Sequence, residues 1–384
     1  MKRTMIVALM AALGWIGVTG SSKAKEPESR RKPAVQIALL LDTSNSMDGL
    51  IDQAKSQLWR VVNEFIRAKR DGRPAPIQVA LYEYGNDHLP AQEGFVRLVV
   101  PLTDDLDTVS EKLFGLRTKG GQEYCGQVIQ NAVDQLTWSH SDRVYRAIFI
   151  AGNEPFSQGS IPYPESCRSA VKKGITVNTI FCGANAEGLH TGWSRGAMLA
   201  DGRYISIDQN EKIVSIPTPH DDELARLGRD VNNTYLPYGR MGRDGQARQL
   251  AQDANAAKAS LEASLSRAGS KGALNVYCND QWDLVDAIKT GKCKLEDLKE
   301  DELPEELRGL GLAERIARVK ERISKRQEIQ DRILVLTRER ETFLAAERKK
   351  RSGESRETLD SAIIEAVRSQ ATRANIEFEG TSPK

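Results

Sequence analysis

Several residue classes that point straight to a function are scarce in this chain. Five cysteines and four histidines occur in 384 residues. The histidines (His88, His140, His190 and His220) are scattered and no CxxC is present, which argues against a structural zinc. No sign of charge dominates: 55 Lys and Arg stand against 53 Asp and Glu, a net charge of +2. The basic surface that nucleic-acid binding needs is therefore missing. With 30 Gly, 14 Pro and 40% hydrophobic residues, the chain is neither collagen-like, nor disulfide-dense, nor wholly disordered. Long apolar runs are also lacking. The stretch from Met5 to about Val18 falls short of the roughly 18–20 residues of a membrane span and is weakened further by Gly14 and Gly17.

That stretch is flanked as a secretion leader is. Lys2 and Arg3 precede it, and Ser22-Lys23-Ala24 supplies a small-x-small cleavage site, predicting a signal peptide over 1–24 and export to the periplasm or the exterior. No cysteine stands at the cleavage site, so a lipid anchor is not expected. No transmembrane segment is expected in the mature chain, and without Lys2, Arg3 and Lys23 its charge is 52 against 53, or −1. An oxidising compartment permits disulfides. Cys278 and Cys293 make the first candidate pair, and the odd count leaves at least one of the five thiols over.

After a polar linker at 25–33, short apolar runs alternate with amphipathic stretches. Strands are expected at 34–42 (AVQIALLLD, apolar enough for burial on both faces), 77–85, 95–102, 144–151, 175–182 and 203–207. Helices are expected at 50–69, 107–115, 125–137, 164–173, 193–200 and 220–230. This alternation predicts a doubly wound α/β sheet, which binds ligands at the carboxyl ends of its strands. The character changes after about residue 240: 241–304 reads as a mixed helical segment with a possible disulfide. Over 313–351, 20 of 39 residues are charged, leaving a narrow stripe of Ile316, Val319, Ile323, Ile333, Leu336, Phe343 and Leu344 on one long helix. The stripe breaks at Arg326, Gln327 and Gln330. An imperfect coiled-coil seam and docking back onto the α/β domain are equally compatible with it. A short helix at 357–370 and a frayed end complete the extension at 305–384.

The sharpest local feature is Asp42-Thr43-Ser44-Asn45-Ser46, directly after the first strand. One carboxylate and two hydroxyls alternating along a turn can face a common point, and hard oxygen donors suit Mg²⁺ or Mn²⁺. The bland reading is that Ser44 and Ser46 cap the following turn and helix. At this point the chain resembles the von Willebrand factor type A (VWA) family, whose metal-ion-dependent adhesion site (MIDAS) opens with D-x-S-x-S. The resemblance covers roughly 34–240. It implies a mostly parallel central sheet with a short antiparallel edge strand and Asp42, Ser44 and Ser46 as metal ligands. It also implies a protein partner that completes the site through an acidic side chain.

Two loops depart from the family pattern. Where the family has a Thr after a Gly pair, this chain has Gln122-Glu123-Tyr124 after Gly120-Gly121. Where the family has T-D-G, it has Gly152-Asn153-Glu154. Gln122, Glu123, Asn153 and Glu154 are the candidate replacements, with Thr118 a weaker one. Trp193 and Tyr163, in loops near strand ends, are candidate partner contacts. The expected function is a non-enzymatic binding protein. One alternative is a metal-free envelope assembly protein that self-associates through the C-terminal helix. Another is a serine hydrolase using Ser194 of Gly192-Trp193-Ser194-Arg195-Gly196, with His220 and Asp221; this lacks the direct strand-to-helix elbow such enzymes need.

Overall fold

The computed structural model describes residues 33–65, 68–207, 216–272, 277–351 and 359–378; the expected leader, and the linker up to residue 32, lie outside them. The strands are β1 (Val35–Asp42), β2 (Ala68–Arg70), β3 (Arg73–Pro74), β4 (Ile77–Tyr84), β5 (Val96–Thr103), β6 (Tyr145–Gly152), β7 (Thr176–Cys182), β8 (Tyr204–Ile207) and β9 (Glu377–Phe378). The helices of the α/β part are α1 (Ile51–Glu64), α2 (Leu106–Gly115), α3 (Cys125–Gln135), α4 (Tyr163–Lys172), α5 (Asn185–His190), α6 (Trp193–Leu199) and α7 (Asp221–Asp230). They are followed by α8 (Gly242–Ala259), α9 (Leu261–Lys271), α10 (Leu284–Lys289), α11 (Leu312–Arg351) and α12 (Leu359–Thr372).

The main sheet runs β5-β4-β1-β6-β7-β8, parallel except for the antiparallel β4–β5 pair. It is the expected doubly wound, mostly parallel α/β fold. All eight residues of β1 are buried, because its two faces look into different cores. Val35, Ile37, Leu39 and Leu41 pack with α1 and α2; Ala38 and Leu40 pack with α3, α4 and Trp193. That two-sided burial explains the nearly unbroken apolar run.

Three expectations need correction. Helix α1 stops at Glu64 instead of 69, because Asp71-Gly72 adopts positive φ (51° and 70°) and closes the β2–β3 hairpin, a turn that Asp-Gly favours. The chain end is not frayed as far as Phe378: β9 pairs with β2. Val367, Ala371, Ile376 and Phe378 fill the same core as α1, and Gln370 exchanges hydrogen bonds with Asn178 on the sheet (2.7 and 3.1 Å) while accepting one from Tyr145 (2.8 Å). The stretch 305–384 is thus no appendage; its last helix covers one face of the sheet. Finally, this structure forms no disulfide between Cys278 and Cys293.

Helix α11 docks within the chain, and the polar break in its stripe is what anchors it. Ile316, Val319 and Ile323 pack against α10 and the loops at 295–307, while Ile333 and Leu336 pack against α7 and α9. Between these two apolar contacts the Arg326 guanidinium is fully buried. It donates to Asp286 (2.7 Å), to both Asp283 oxygens, to the Thr234 hydroxyl (2.9 Å) and to the Thr234 carbonyl (2.6 Å), and it stacks 4.4 Å from the centre of the Tyr235 ring. Gln330 adds a bond to the Lys271 carbonyl at the end of α9 (3.0 Å). Two carboxylates share one cation here, and burial together with the Asp283 charge pushes Asp286 up to about 6. Removing one partner of a buried ion pair leaves the other uncompensated. Arg326→Ala is therefore expected to lower unfolding free energy by about 3–5 kcal/mol in urea titration at pH 7, whereas Arg318→Ala, on the exposed face, shifts it by less than about 0.5 kcal/mol.

Candidate functional site

The site lies at the carboxyl end of β1, next to the switch in strand order where β4 and β6 flank it on either side. Asp42 is the last residue of β1 and is fully buried. Its Oδ1 accepts from the Ser44 amide (2.8 Å), whereas Oδ2, set against Gly152 at the end of β6, has no hydrogen-bond partner. The Ser44 and Ser46 hydroxyls are 2.8 Å apart, and Ser46 donates to Asn153 Oδ1 (2.8 Å), while Asn153 Nδ2 returns a bond to the Ser46 carbonyl (2.9 Å). Asn153 thus reaches the turn from the third loop. Ser44, which precedes a short 3-10 turn at Asn45–Met47, makes no side-chain capping bond there, so the hydroxyls are not spent on a cap.

Glu123 arrives from the second loop. It is 6% exposed, and its Cγ faces Asp42 Oδ1 across Gly85: a Cβ at Gly85 would stand 2.6 Å from Asp42 Oδ1 and 3.1 Å from Glu123 Cγ. Gly85 (φ +79°) and Gly121 (φ +122°), whose own Cβ would strike the Gly85 carbonyl at 1.8 Å, let the two loops close to this distance. Burial raises Asp42 to about 8, the Ser44 amide offsets part of the rise, and the charges of Glu123 and Glu154 add to it. Glu123 is pushed up by burial and then by Glu154.

The other candidates fall elsewhere. Gln122 is exposed and accepts a hydrogen bond from the Tyr124 hydroxyl. Thr118 bonds Asp48. Glu154 is half-buried, with Oε2 accepting from Gln158 (3.4 Å), and it acts on the site by its charge. Trp193 is corrected outright: it is 0% exposed and packs at a tilt against Phe156 (4.7 Å between ring centres) and Phe181 (5.7 Å). Its indole N–H donates to the Glu154 carbonyl (2.8 Å), so it holds the third loop from below instead of meeting a partner. Tyr163 is half-buried, edge-on to Phe156 at 5.1 Å. His220 faces Glu339 of α11 (3.5 Å), and Asp221 is held by Thr218 and Arg340, so the hydrolase triad's base and acid are turned to other partners.

Supporting residues that sequence reasoning passed over form a layer beneath the turn. Tyr84 donates to the Ala151 carbonyl (3.0 Å), joining the strand ends on either side of Asp42. Thr43 donates to Glu83 (3.0 Å), which pairs with Arg97 on the antiparallel edge. Alternation along β4 was the available signal, since Glu83 is a charge inside a buried strand.

Among the described residues no three His, Cys, Asp or Glu side chains stand together as a metal group; the donors around Asp42 are mainly hydroxyl and amide oxygens. A buried carboxylate oxygen without a partner, two adjacent hydroxyls, an amide oxygen and a second carboxylate are a donor set that fits a hard divalent cation. A groove of about 1600 Å³ opens separately along α1, α2 and α9, lined by Lys55, Trp59, Arg97 and Phe114 among others; Asp42, Ser44 and Ser46 are not part of it.

With this geometry established, comparison with known proteins places the domain. Residues 36–188 match the von Willebrand factor type A domain. The chain therefore carries a VWA domain, extended at its C-terminal side by the helices described above. Among solved structures, BatB from Bacteroides thetaiotaomicron is 20% identical over 45% of this chain and 90% of its own, with a TM-score of 0.35. The SpRpn10 VWA domain is 16% identical over 46% and 90%, at 0.36. Proximal thread matrix protein 1 from the mussel byssus, solved with a zinc-occupied MIDAS motif, is 13% identical over 47% and 43%, at 0.34. No match is found among curated proteins.

Because Asp42 titrates near 8 when folded and near 3.8 when unfolded, the folded protein holds a proton that the unfolded chain has released between those values. Without metal, stability is therefore greatest below about pH 4 as far as this group is concerned, and it declines as pH rises towards 8. In EDTA, Asp42→Asn is expected to flatten this decline, whose slope for one proton reaches about 1.4 kcal/mol per pH unit; urea titrations from pH 5 to 8 on both proteins measure it.

Proposed function

We propose that this chain is an exported, non-enzymatic binding protein that engages a protein partner through the loops at the carboxyl edge of its sheet, with a divalent cation, Mg²⁺ or Mn²⁺, held at Asp42, Ser44 and Ser46. The observation that carries it is the fully buried Asp42 carboxylate, one oxygen of which lacks any partner beside two hydroxyls. A cation there would supply the positive charge that this carboxylate lacks and an open coordination position for the partner. Asn153 belongs to the same network, and Trp193 and Tyr84 keep the loops in place from beneath. Two features support a role in binding over catalysis: the grouping of donors on loops above a rigid sheet, and the engagement of His220 and Asp221 away from Ser194. Export rests on Lys2, Arg3, the apolar run and the Ser22-Lys23-Ala24 site; among the described residues no helix is long and apolar enough to cross a membrane. Assembly through the C-terminal helix is the weaker reading, because the apolar stripe of α11 is occupied by the chain's own α7, α9 and α10.

Isothermal titration of Mg²⁺ and Mn²⁺ into the mature protein tests the reading. Heat of binding is expected in the wild type and is expected to disappear in Asp42→Ala and to weaken at least about tenfold in Ser44→Ala. A wild type without binding, or an Asp42→Ala protein that still binds, removes the cation from the function.

A further inference from the structure

Resting on that cation site, we infer that Glu123 is a direct ligand that makes it a two-carboxylate site, so that the partner completes it with a neutral oxygen (a backbone carbonyl, an amide or a hydroxyl) and not with an acidic side chain. Three observations lead there. Glu123 is buried to 6% exposure in the second loop, and its Cγ and Asp42 Oδ1 both border the space that a Cβ at Gly85 would occupy, at 3.1 and 2.6 Å. The Asp42 carboxylate it faces is fully buried, with Oδ2 unpartnered. The charged neighbours acting most on Asp42 are acidic, Glu123 and Glu154; among the described residues no salt bridge takes up Glu123, whose carboxylate is bonded by the neutral Ser44 and Gln158 side chains, while its N–H donates to Gln158 (3.3 Å).

The charge balance follows. A divalent cation between Asp42 and Glu123 is already neutral, and Glu154 on the neighbouring loop makes the surroundings negative. A carboxylate from a partner would enter against that field with no positive charge left to meet, whereas a neutral oxygen donor fills a coordination position at no such cost. Asn153 fits the same pattern: where a second acid from the third loop would overcharge the site, an amide oxygen stands, tied to Ser46 on both sides.

The test uses the mature full chain and Mn²⁺, followed by water-proton relaxation, with acetate as the carboxylate probe. Glu123→Gln keeps the size of the side chain and removes its charge; Glu154→Gln removes the neighbouring charge without touching the proposed ligand. Glu123→Gln is expected to weaken Mn²⁺ at least about tenfold and Glu154→Gln less than about threefold, since ligand charge count tunes affinity for hard cations. Acetate is expected to leave the relaxation of the wild-type Mn²⁺ complex unchanged and to lower it in Glu123→Gln by displacing bound water. Melting in EDTA verifies that each variant is folded. Equal losses in the two variants would reduce Glu123 to a source of field, and acetate binding to the wild type as readily as to Glu123→Gln would overturn the neutral-partner inference. Both leave the Asp42 cation site standing, whereas no Mn²⁺ binding in the wild type removes that site and this inference together.

Discussion

A sheet whose central strands are apolar on both faces has to be covered on both, and everything else in this protein is arranged around that requirement. On one side α3, α4 and α6 follow directly in sequence and close the face locally. On the other, α1 and α2 cover only part of the sheet, and α12 with β9 returns from the end of the chain to fill the remainder through Val367, Ala371, Ile376 and Phe378. The C-terminal region therefore contributes to the core on one face of the sheet, although the VWA match ends at residue 188.

Helix α11 is the strut that brings α12 back, and it is held by chemistry that looks like a defect in a list of residues. A charged side chain in an apolar stripe ordinarily signals exposure, since arginine is seldom fully buried unless paired. Here Arg326 is paired on every side, with Asp283 and Asp286 presented by the start of α10 and the Thr234 carbonyl presented by the turn after α7. The ion pair fixes the register of a 40-residue helix between two apolar contacts that would each tolerate sliding. A second buried cluster does comparable work between α2 and α9, where Arg267 meets Asp107 (2.8 Å) and Tyr277 donates to the same carboxylate (2.6 Å).

The upper edge of the sheet carries the opposite economy. Instead of pairing its buried charge, it leaves Asp42 beside Glu123 with hydroxyls around them, and glycines at 85 and 121 permit an approach that any side chain would block. Such an arrangement opposes stability in the absence of a cation, which is the usual mark of a site kept for binding. The loops are anchored from below by hydrogen bonds from Tyr84, Thr43 and Trp193, even though the charges above are not balanced.

Residue order alone was enough for the six main strands, most of the helices and the turn that carries Asp42, Ser44 and Ser46, because these depend on local periodicity and on a strand buried on both faces. It also brought Glu123 and Asn153 into consideration, by their position in the loops that follow the third and fourth strands of the main sheet in chain order. It misplaced Trp193 because a loop aromatic near a strand end looks the same whether it faces outward or inward; only Phe156, Phe181 and the Glu154 carbonyl decide that. The return of α12, the β2–β9 pairing and the Arg326 socket were decided by tertiary structure, since each joins residues far apart in the chain through charge and shape that no local pattern encodes.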